Sequence, residues 1–212
     1  MISIMFDIDG TLVDSFAFDE QCFNSAVKET LGHDVDTRWD TYQHVTDRGL
    51  LMELLANNGR SDEIATIEPL VKMRFVQKVV RHLSEAKVEP TAGAAEFIAE
   101  LKERDDVNLS IATGGWLESA AIKLQSAGID INGIPIATSN DHHIRTEIMR
   151  IAQVNSGSGQ RVVYFGDAEW DKKACAELGF KFILLGNRTD HELQLTDFSD
   201  RAKLSELLEI QL

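Results

Sequence analysis

Five short, nearly continuous apolar runs constrain the fold of this chain more than any other feature. Each run is bounded by Gly, Asp, Asn or Thr. The runs are Ile2–Phe6, Val107–Ala112, Ile134–Thr138, Arg161–Phe165 and Lys181–Leu185. Segments of helical periodicity lie between them, for example Ala94–Glu103, Leu117–Ala127 and Trp170–Leu178. Strands that are buried on both faces and alternate with helices are typical of parallel βαβ units. We therefore predict an α/β fold whose core is a parallel sheet.

The segment between the first two runs breaks this alternation, because its patterns are helical throughout. The predicted helices are Phe18–Leu31, Trp39–Asn57 with an interruption, Asp62–Ile67 and Glu68–Ser84. In the last of them one apolar stripe recurs at helical spacing. That stripe comprises Met73, Val76, Val80 and Leu83. We predict that an all-helical insert, residues 16–88, interrupts a core built from residues 1–15 and 89–212.

Composition excludes several classes of function. Of the 212 residues, 43% are hydrophobic and 26% are charged, which is ordinary for a globular protein. A formal charge of −14 disfavours binding to nucleic acid or to an anionic membrane surface. No apolar run approaches the roughly 20 residues of a membrane helix. The apolar start of the chain also lacks the preceding basic segment that a signal peptide has. Cys22 and Cys175 match no metal-binding spacing. We expect a soluble, cytoplasmic protein, with its oligomeric state left open.

Two carboxylates follow the first apolar run. Asp7 and Asp9 are two residues apart, so their side chains share a face at the carboxyl end of the predicted strand. Ligands of open parallel sheets bind at that end. Two adjacent carboxylates repel each other unless a cation lies between them or one is protonated. The pattern therefore indicates a cation site or a pair of groups that exchange a proton.

Two further strand ends carry groups suited to a phosphate and a metal. Thr113 and Gly114 follow the second run, where a hydroxyl and close backbone N–H groups can hold a phosphate. Asp167 and Asp171 follow the fourth run, four residues apart at the predicted start of a helix. Carboxylate oxygens are ligands that Mg²⁺ favours beside a substrate phosphate. Together with Asp7 and Asp9, these residues predict a Mg²⁺ and phosphate site at one edge of the sheet.

In this order, the three motifs resemble those of the haloacid dehalogenase-like hydrolase superfamily. They read D-x-D-G-T-L-V, Thr-Gly and G-D-x-x-x-D, and with the insert after the first motif the whole chain resembles the phosphatase subclass with a C1 cap. The resemblance implies a Rossmann-like core with an inserted helical cap. It also implies a Mg²⁺-dependent phosphoric monoester hydrolase that acts on a small phosphorylated metabolite through an aspartyl-phosphate.

The resemblance also implies a role for each residue of the motifs. Asp7 would be the nucleophile, and Asp9 would be the general acid and then the general base. Thr113 would hydrogen-bond the transferring phosphoryl group. Mg²⁺ would be held by the Asp7 carboxylate, the Asp9 backbone carbonyl and Asp167, with Asp171 close by or acting through water.

The basic residue of the family pattern is replaced here. The family usually places a Lys ahead of the helix after the third strand, where this chain has none. Arg145 is our candidate, because a guanidinium can bridge a carboxylate and a phosphate. Lys123 is the rival, ten residues past Thr113 and roughly 15 Å along a helix, which favours Arg145. In the insert, Arg48 lies in a segment similar to the family's substrate-reading cap loop, where it could contact a second anionic group.

Other chemistries of the same fold compete with the phosphatase. A dehalogenase would not need the Asp167 and Asp171 carboxylates. A phosphonatase needs a cap lysine in a recognisable motif, and none of the lysines in the insert stands in such a motif. Those lysines are Lys28, Lys72, Lys78 and Lys87. A β-phosphoglucomutase-like phosphotransferase would share nearly every core motif. A catalytically idle phosphate-binding or regulatory protein would most simply lack the nucleophilic aspartate, but Asp7 is present.

Overall fold

A parallel sheet of six strands forms the centre of the computed structural model, which describes residues 1–157 and 161–212. The strands are β1 (Ile2–Phe6), β2 (Val107–Ala112), β3 (Ile136–Ala137), β4 (Arg161–Gly166), β5 (Lys181–Leu185) and β6 (Gln194–Leu195). Their order is β3-β2-β1-β4-β5-β6, and every pairing is parallel. The chain therefore reverses its direction of travel across the sheet beside β1, where ligand sites of such sheets form.

The predicted α/β fold with a Rossmann-like parallel sheet is confirmed. Eight α-helices accompany the sheet in the part of the chain that the structure describes. They are α1 (Phe16–Leu31), α2 (Asp47–Asn57), α3 (Ile64–Glu85), α4 (Ala94–Lys102), α5 (Leu117–Ser126), α6 (Arg145–Asn155), α7 (Glu169–Leu178) and α8 (Arg201–Leu208). The third strand is shorter than predicted, and β6 was not predicted because two residues give no apolar run. Among the described residues, no helix combines the length and apolar character needed to cross a membrane.

Aromatic packing joins the sheet to the helices on one of its faces. Every residue of β1 is buried, as expected for a strand covered on both faces. The rings of Phe6, Phe97, Phe165 and Phe198 pack with centroids 5.1–6.1 Å apart. Such contacts fix the position of β1 beside β4, and with it the position of the residues that follow the two strands.

Helices α1, α2 and α3 pack around a second apolar cluster, into which Trp116 of the core also inserts. Hydrogen bonds join the insert to the core, including one from the Asp47 N–H to the Gly114 carbonyl at 2.8 Å. Phe18 and Leu83 pack against both this cluster and the main core. Because the two apolar clusters share these side chains, the division of the chain at residues 16 and 88 stays a prediction.

Helix α3 differs from the sequence prediction in its length and in its buried face. Two predicted helices form one continuous helix through Pro69, although an interior proline costs about 3 kcal/mol. The buried stripe comprises Ile67, Val71, Phe75 and Val79. Met73 and Val80 of the predicted stripe are about half exposed, at 49% and 48%. The larger Phe75 decides which face packs against α1, because it buries more apolar area than Met73 or Val80 would.

Candidate active site

Asp7 is the first residue after β1 and lies almost completely buried at the carboxyl end of the sheet. Its backbone N–H donates to the Phe165 carbonyl at 2.9 Å, so the parallel ladder continues through it. Its side chain is among those that line a pocket between the sheet edge and the insert. One carboxylate oxygen, Oδ1, is buried and has no hydrogen-bond partner among the described residues. A buried, unpartnered oxygen at a pocket wall is costly unless a ligand or a proton satisfies it.

Asp7, Asp167 and Asp171 form an acidic triad. Each offers an oxygen within 4.8 Å of the others, and all three residues are buried. Burial and the neighbouring Asp171 together raise the pKa of Asp7 to about 7. Burial also raises the pKa of Asp167 to about 7 and that of Asp171 to about 6. The triad therefore lacks sufficient positive charge from the protein to hold all three carboxylates ionised.

Arg145 supplies the positive charge nearest to the triad. It is the first residue of α6, and its Nη1 lies 2.9 Å from Asp171 Oδ1 and 3.8 Å from Asp7 Oδ1. Burial alone would lower the pKa of Arg145, but Asp171 and Asp7 outweigh burial and raise it. The structure thus places this guanidinium beside the predicted nucleophile, where the sequence placed it.

The loop after β2 approaches Arg145 closely. A Cβ on Gly114 would lie 2.5 Å from Arg145 Nη2 and 3.0 Å from the carbonyl oxygen of Val45. A side chain at this position would displace the guanidinium, so the glycine allows the loop to approach Arg145 this closely. Thr113 is buried, and its Oγ1 accepts a hydrogen bond from the Gly115 N–H at 3.1 Å. Thr113, Gly114 and Gly115 all line the pocket, and their role in binding a phosphate stays a prediction.

Lys123 and Asp9 belong to a second charged cluster, at the other side of the pocket. Lys123 Nζ lies 2.6 Å from Asp9 Oδ2 and 2.7 Å from Asp19 Oδ1, and the Ser15 hydroxyl also donates to Asp9. Burial alone would lower the pKa of the fully buried Lys123, but Asp19 and Asp9 outweigh it and raise the pKa. The Asp9 carboxylate therefore pairs with Lys123 and is not a member of the acidic triad.

The expectation that Lys123 lies too far from the site is wrong. Lys123 was expected to lie too far along α5. In the structure, α5 packs against the insert, and the side chain of Lys123 extends to Asp9. The sequence does carry a signal for this position. Ala120, Lys123 and Leu124 share the buried face of α5, and a lysine on such a face requires a partner.

The insert contributes residues that the sequence analysis did not select. Asp19, Glu20 and Asp47 line the pocket. Thr46 caps the start of α2, so the segment at residues 46–49 begins a helix rather than only interrupting one. Arg48 is not among the lining residues. Its Nε lies 3.3 Å from Glu68 Oε2, where the guanidinium pairs within the insert.

Gly10→Ala is expected to disturb the acidic triad. Gly10 has a φ of +78°, and a Cβ there would overlap the Asp167 carboxylate, whose Cγ would be 2.7 Å away. Gly128→Ala is the matched control, because Gly128 has a φ of +72° but no atom within 4 Å of the added Cβ. We expect the control to lose about 1–2 kcal/mol in urea unfolding from backbone strain. Gly10→Ala should lose clearly more, and equal losses would contradict the close approach to Asp167.

Comparison with known proteins gives one family and a set of similar folds. Residues 4–185 match the family described as Haloacid dehalogenase-like hydrolase. No match was found among curated proteins. A hydrolase from Pseudomonas syringae has a similar structure, with a TM-score of 0.77 at 24% identity and 100% of both chains covered.

Two other similar structures have names that state a ligand or an activity. A mutant of CbbY from Rhodobacter sphaeroides, in complex with xylulose-1,5-bisphosphate, has a TM-score of 0.71 at 20% identity, with 95% of this chain and 98% of that chain covered. A β-phosphoglucomutase from Clostridium difficile has a TM-score of 0.76 at 15% identity, with 99% and 98% covered. At these identities the likeness establishes the fold.

Proposed function

The chain belongs to the haloacid dehalogenase-like hydrolase family, and on that premise we propose that it is a Mg²⁺-dependent phosphatase of a small phosphorylated metabolite. The observation that carries the proposal is the Asp7 carboxylate in the pocket lining, whose buried Oδ1 has no hydrogen-bond partner among the described residues and lies 3.8 Å from Arg145 Nη1. A phosphorylated sugar in the complex of the similar CbbY supports the class of substrate. The pocket combines apolar side chains with a few converging polar groups, the kind of lining that is typical of small-molecule sites.

The residues of the acidic triad fit a magnesium ion. Asp7 and Asp167 line the pocket, and Asp171 lies next to them and accepts a hydrogen bond from Arg145. Hard oxygen donors in a buried, negatively charged cluster are the donor set that Mg²⁺ prefers. When bound, the ion would neutralise charge between a carboxylate nucleophile and a phosphate. The raised pKa values of Asp7 and Asp167 accord with a site that gains a cation.

Each remaining residue has a role that its position supports. Asp7 would attack phosphorus to form an aspartyl-phosphate, which water then hydrolyses. Arg145 would bind the phosphoryl oxygens beside Asp7, and Thr113 and Gly114 would hold them from the adjoining loop after β2. Asp9 would protonate the leaving oxygen and later take a proton from water. Its Oδ2 lies beside the Thr113 loop, 3.7 Å from the position of a Cβ on Gly115.

The second candidate is a β-phosphoglucomutase-like phosphotransferase, favoured by the likeness to that fold at a TM-score of 0.76. The two reactions share the aspartyl-phosphate and differ in the group that receives the phosphoryl. The test is phosphate release from sugar phosphates, nucleotides, phosphoglycolate and p-nitrophenyl phosphate, with and without Mg²⁺. Mg²⁺-dependent release supports the phosphatase. Isomerisation of a sugar phosphate without release of inorganic phosphate would indicate the phosphotransferase. No reaction with any of these substrates would indicate a phosphate-binding protein without catalytic activity.

Stabilisation by Mg²⁺ is expected to depend on pH. Asp7 and Asp167 have pKa values raised to about 7, so the metal-free folded protein binds more protons than the unfolded chain between about pH 4 and 7. Its stability should therefore fall as the pH rises through that window. Mg²⁺ competes with these protons and should raise Tm more at about pH 8 than at about pH 5.5. Thermal denaturation with saturating Mg²⁺ measures this, and an equal rise at both pH values would contradict the metal assignment.

A further inference from the structure

The side of the pocket formed by the insert has an unusual balance of charge. Six carboxylates line the whole pocket, and among the described residues Arg145 is the one lining cation. The insert itself contributes carboxylates and aromatic rings to the lining. Its lining members include Asp19, Glu20, Asp47, Phe23 and Trp39. A substrate's phosphate lies at the triad in the proposed function, so this side would receive the leaving group.

The basic residues around the pocket already have carboxylate partners. A second phosphate or a carboxylate on the leaving group would therefore face carboxylates without a counter-ion. Placing like charges together in a partly buried site is strongly unfavourable. The pairs are Arg145 with Asp171, Lys123 with Asp9 and Asp19, Arg188 with Asp167, and Arg48 with Glu68.

Glu20 is the lining carboxylate of the insert best placed to receive a cation. No lysine or arginine of the described structure forms an ion pair with it, and its Oε2 accepts a hydrogen bond from the Trp39 indole N–H. Asp19 is already paired with Lys123. Asp47 is buried, and its Oδ2 accepts a hydrogen bond from the backbone N–H of Trp116 at 2.8 Å. Among the described residues Glu20 therefore has no basic partner, and a cationic ligand can supply one.

One aromatic side chain, Trp39, contacts this carboxylate, and a second ring packs against Trp39. The Trp39 ring packs edge-on against Phe23, with centroids 6.5 Å apart. A carboxylate beside aromatic rings attracts an ammonium group through charge and through the ring faces. The lining of this pocket already holds a cation in that way, because the Arg188 guanidinium lies 3.3 Å from the centroid of Phe16.

We infer that the leaving group carries a positively charged ammonium and no second anionic group, with Glu20 and Trp39 as its recognition residues. The inference rests on the proposed function, because it assumes that the phosphate occupies the triad. It narrows the substrate to phosphate monoesters of amino alcohols, and it separates this chain from CbbY, whose complex holds a bisphosphate.

Three esters test the inference by binding rather than by turnover. Phosphocholine carries the cation, 3,3-dimethylbutyl phosphate is its uncharged isostere, and phosphoglycolate carries a second anion. We would titrate each into the Asp7→Asn protein with Mg²⁺ by calorimetry. Phosphocholine should bind on the order of tenfold more tightly than the isostere, and phosphoglycolate should bind more weakly than both. Equal affinities for phosphocholine and the isostere, or tightest binding of phosphoglycolate, would overturn the inference.

A pair of variants locates the effect. Glu20→Gln should bring the affinity ratio of phosphocholine to the isostere close to one. Glu29→Gln is the control, because Glu29 lies on the same helix, is exposed and pairs with Lys78. The ratio should not change in the control, and an unchanged ratio in Glu20→Gln would overturn the inference. Turnover of p-nitrophenyl phosphate by the unaltered protein reports separately on the phosphatase, so the two proposals can fail independently.

Discussion

Asp7→Asn is expected to reduce phosphate release by at least about 10⁴-fold, because an amide cannot act as the attacking carboxylate. The protein should remain folded. Asp7 is buried with its pKa raised to about 7, so its charged form is already disfavoured in the metal-free protein. An uncharged amide of the same shape therefore removes charge that the fold does not require. Steady-state release with Mg²⁺ and thermal denaturation of the same sample measure the two effects.

Asp14→Asn is the matched control for this variant. Asp14 lies in the same loop region but is exposed, and it is not among the residues that line the pocket. We expect its phosphate release to stay within about twofold of the unaltered protein, as for a surface substitution without partners. If Asp7→Asn retained comparable release, Asp7 would not be the nucleophile, and another residue of the pocket would have to take that role.

Lys123→Met is expected to lower the free energy of unfolding by about 3–5 kcal/mol, because it leaves buried carboxylates without their counter-ion. Lys123 is fully buried, and it joins Asp9 of the core to Asp19 of the insert. Burial and Asp9 raise the pKa of Asp19 to about 6 even with Lys123 present. Without the lysine, both carboxylates would need to take up protons. Urea unfolding at about pH 7.5 and about pH 5 should show a larger loss at the higher pH.

Two further variants separate this effect from the loss of packing. Lys123→Met combined with Asp19→Asn should recover part of the stability, because one of the unpaired charges is removed. Lys102→Met removes a lysine that pairs with the largely exposed Asp130, and it should cost less than about 1 kcal/mol. If the double variant were no more stable than Lys123→Met, the ion pair would not be the source of the stability.

The contact of Lys123 with Asp9 also has a consequence for the reaction. The lysine holds the proposed general acid in a hydrogen bond, with Ser15 as a second donor. Asp19 comes from the insert, so any movement of α1 relative to the sheet changes the surroundings of Asp9. The hydrogen bonding of the Asp9 carboxylate is therefore linked to the position of the insert through the buried Lys123.

The sequence by itself determined the four longer strands of the sheet and the residues that follow them. Apolar runs such as Ile2–Phe6 have no alternative to burial, so their strand identity does not depend on distant contacts. The residue that follows each run must then lie at the carboxyl end of the sheet. For that reason the pattern of the chain alone places Asp7, Thr113 and Asp167 together. Arg145 could be placed for the same reason, because it begins the helix that follows the third strand.

The tertiary structure alone decided the arrangement of the insert and the partners of Asp9. Helical periodicity left α3 with two apolar faces, and the packing of Phe75 against α1 selected one of them. The distance along α5 wrongly suggested that Lys123 lies away from the site. The number of residues between Thr113 and Lys123 shows neither how far the lysine side chain reaches nor how α5 packs against the insert. Arg48 could be assigned to a loop by similarity, but its pairing with Glu68 depends on how α2 meets α3. Local pattern fixes where the backbone ends a strand, whereas the direction of a charged side chain depends on which opposite charge the fold brings within reach.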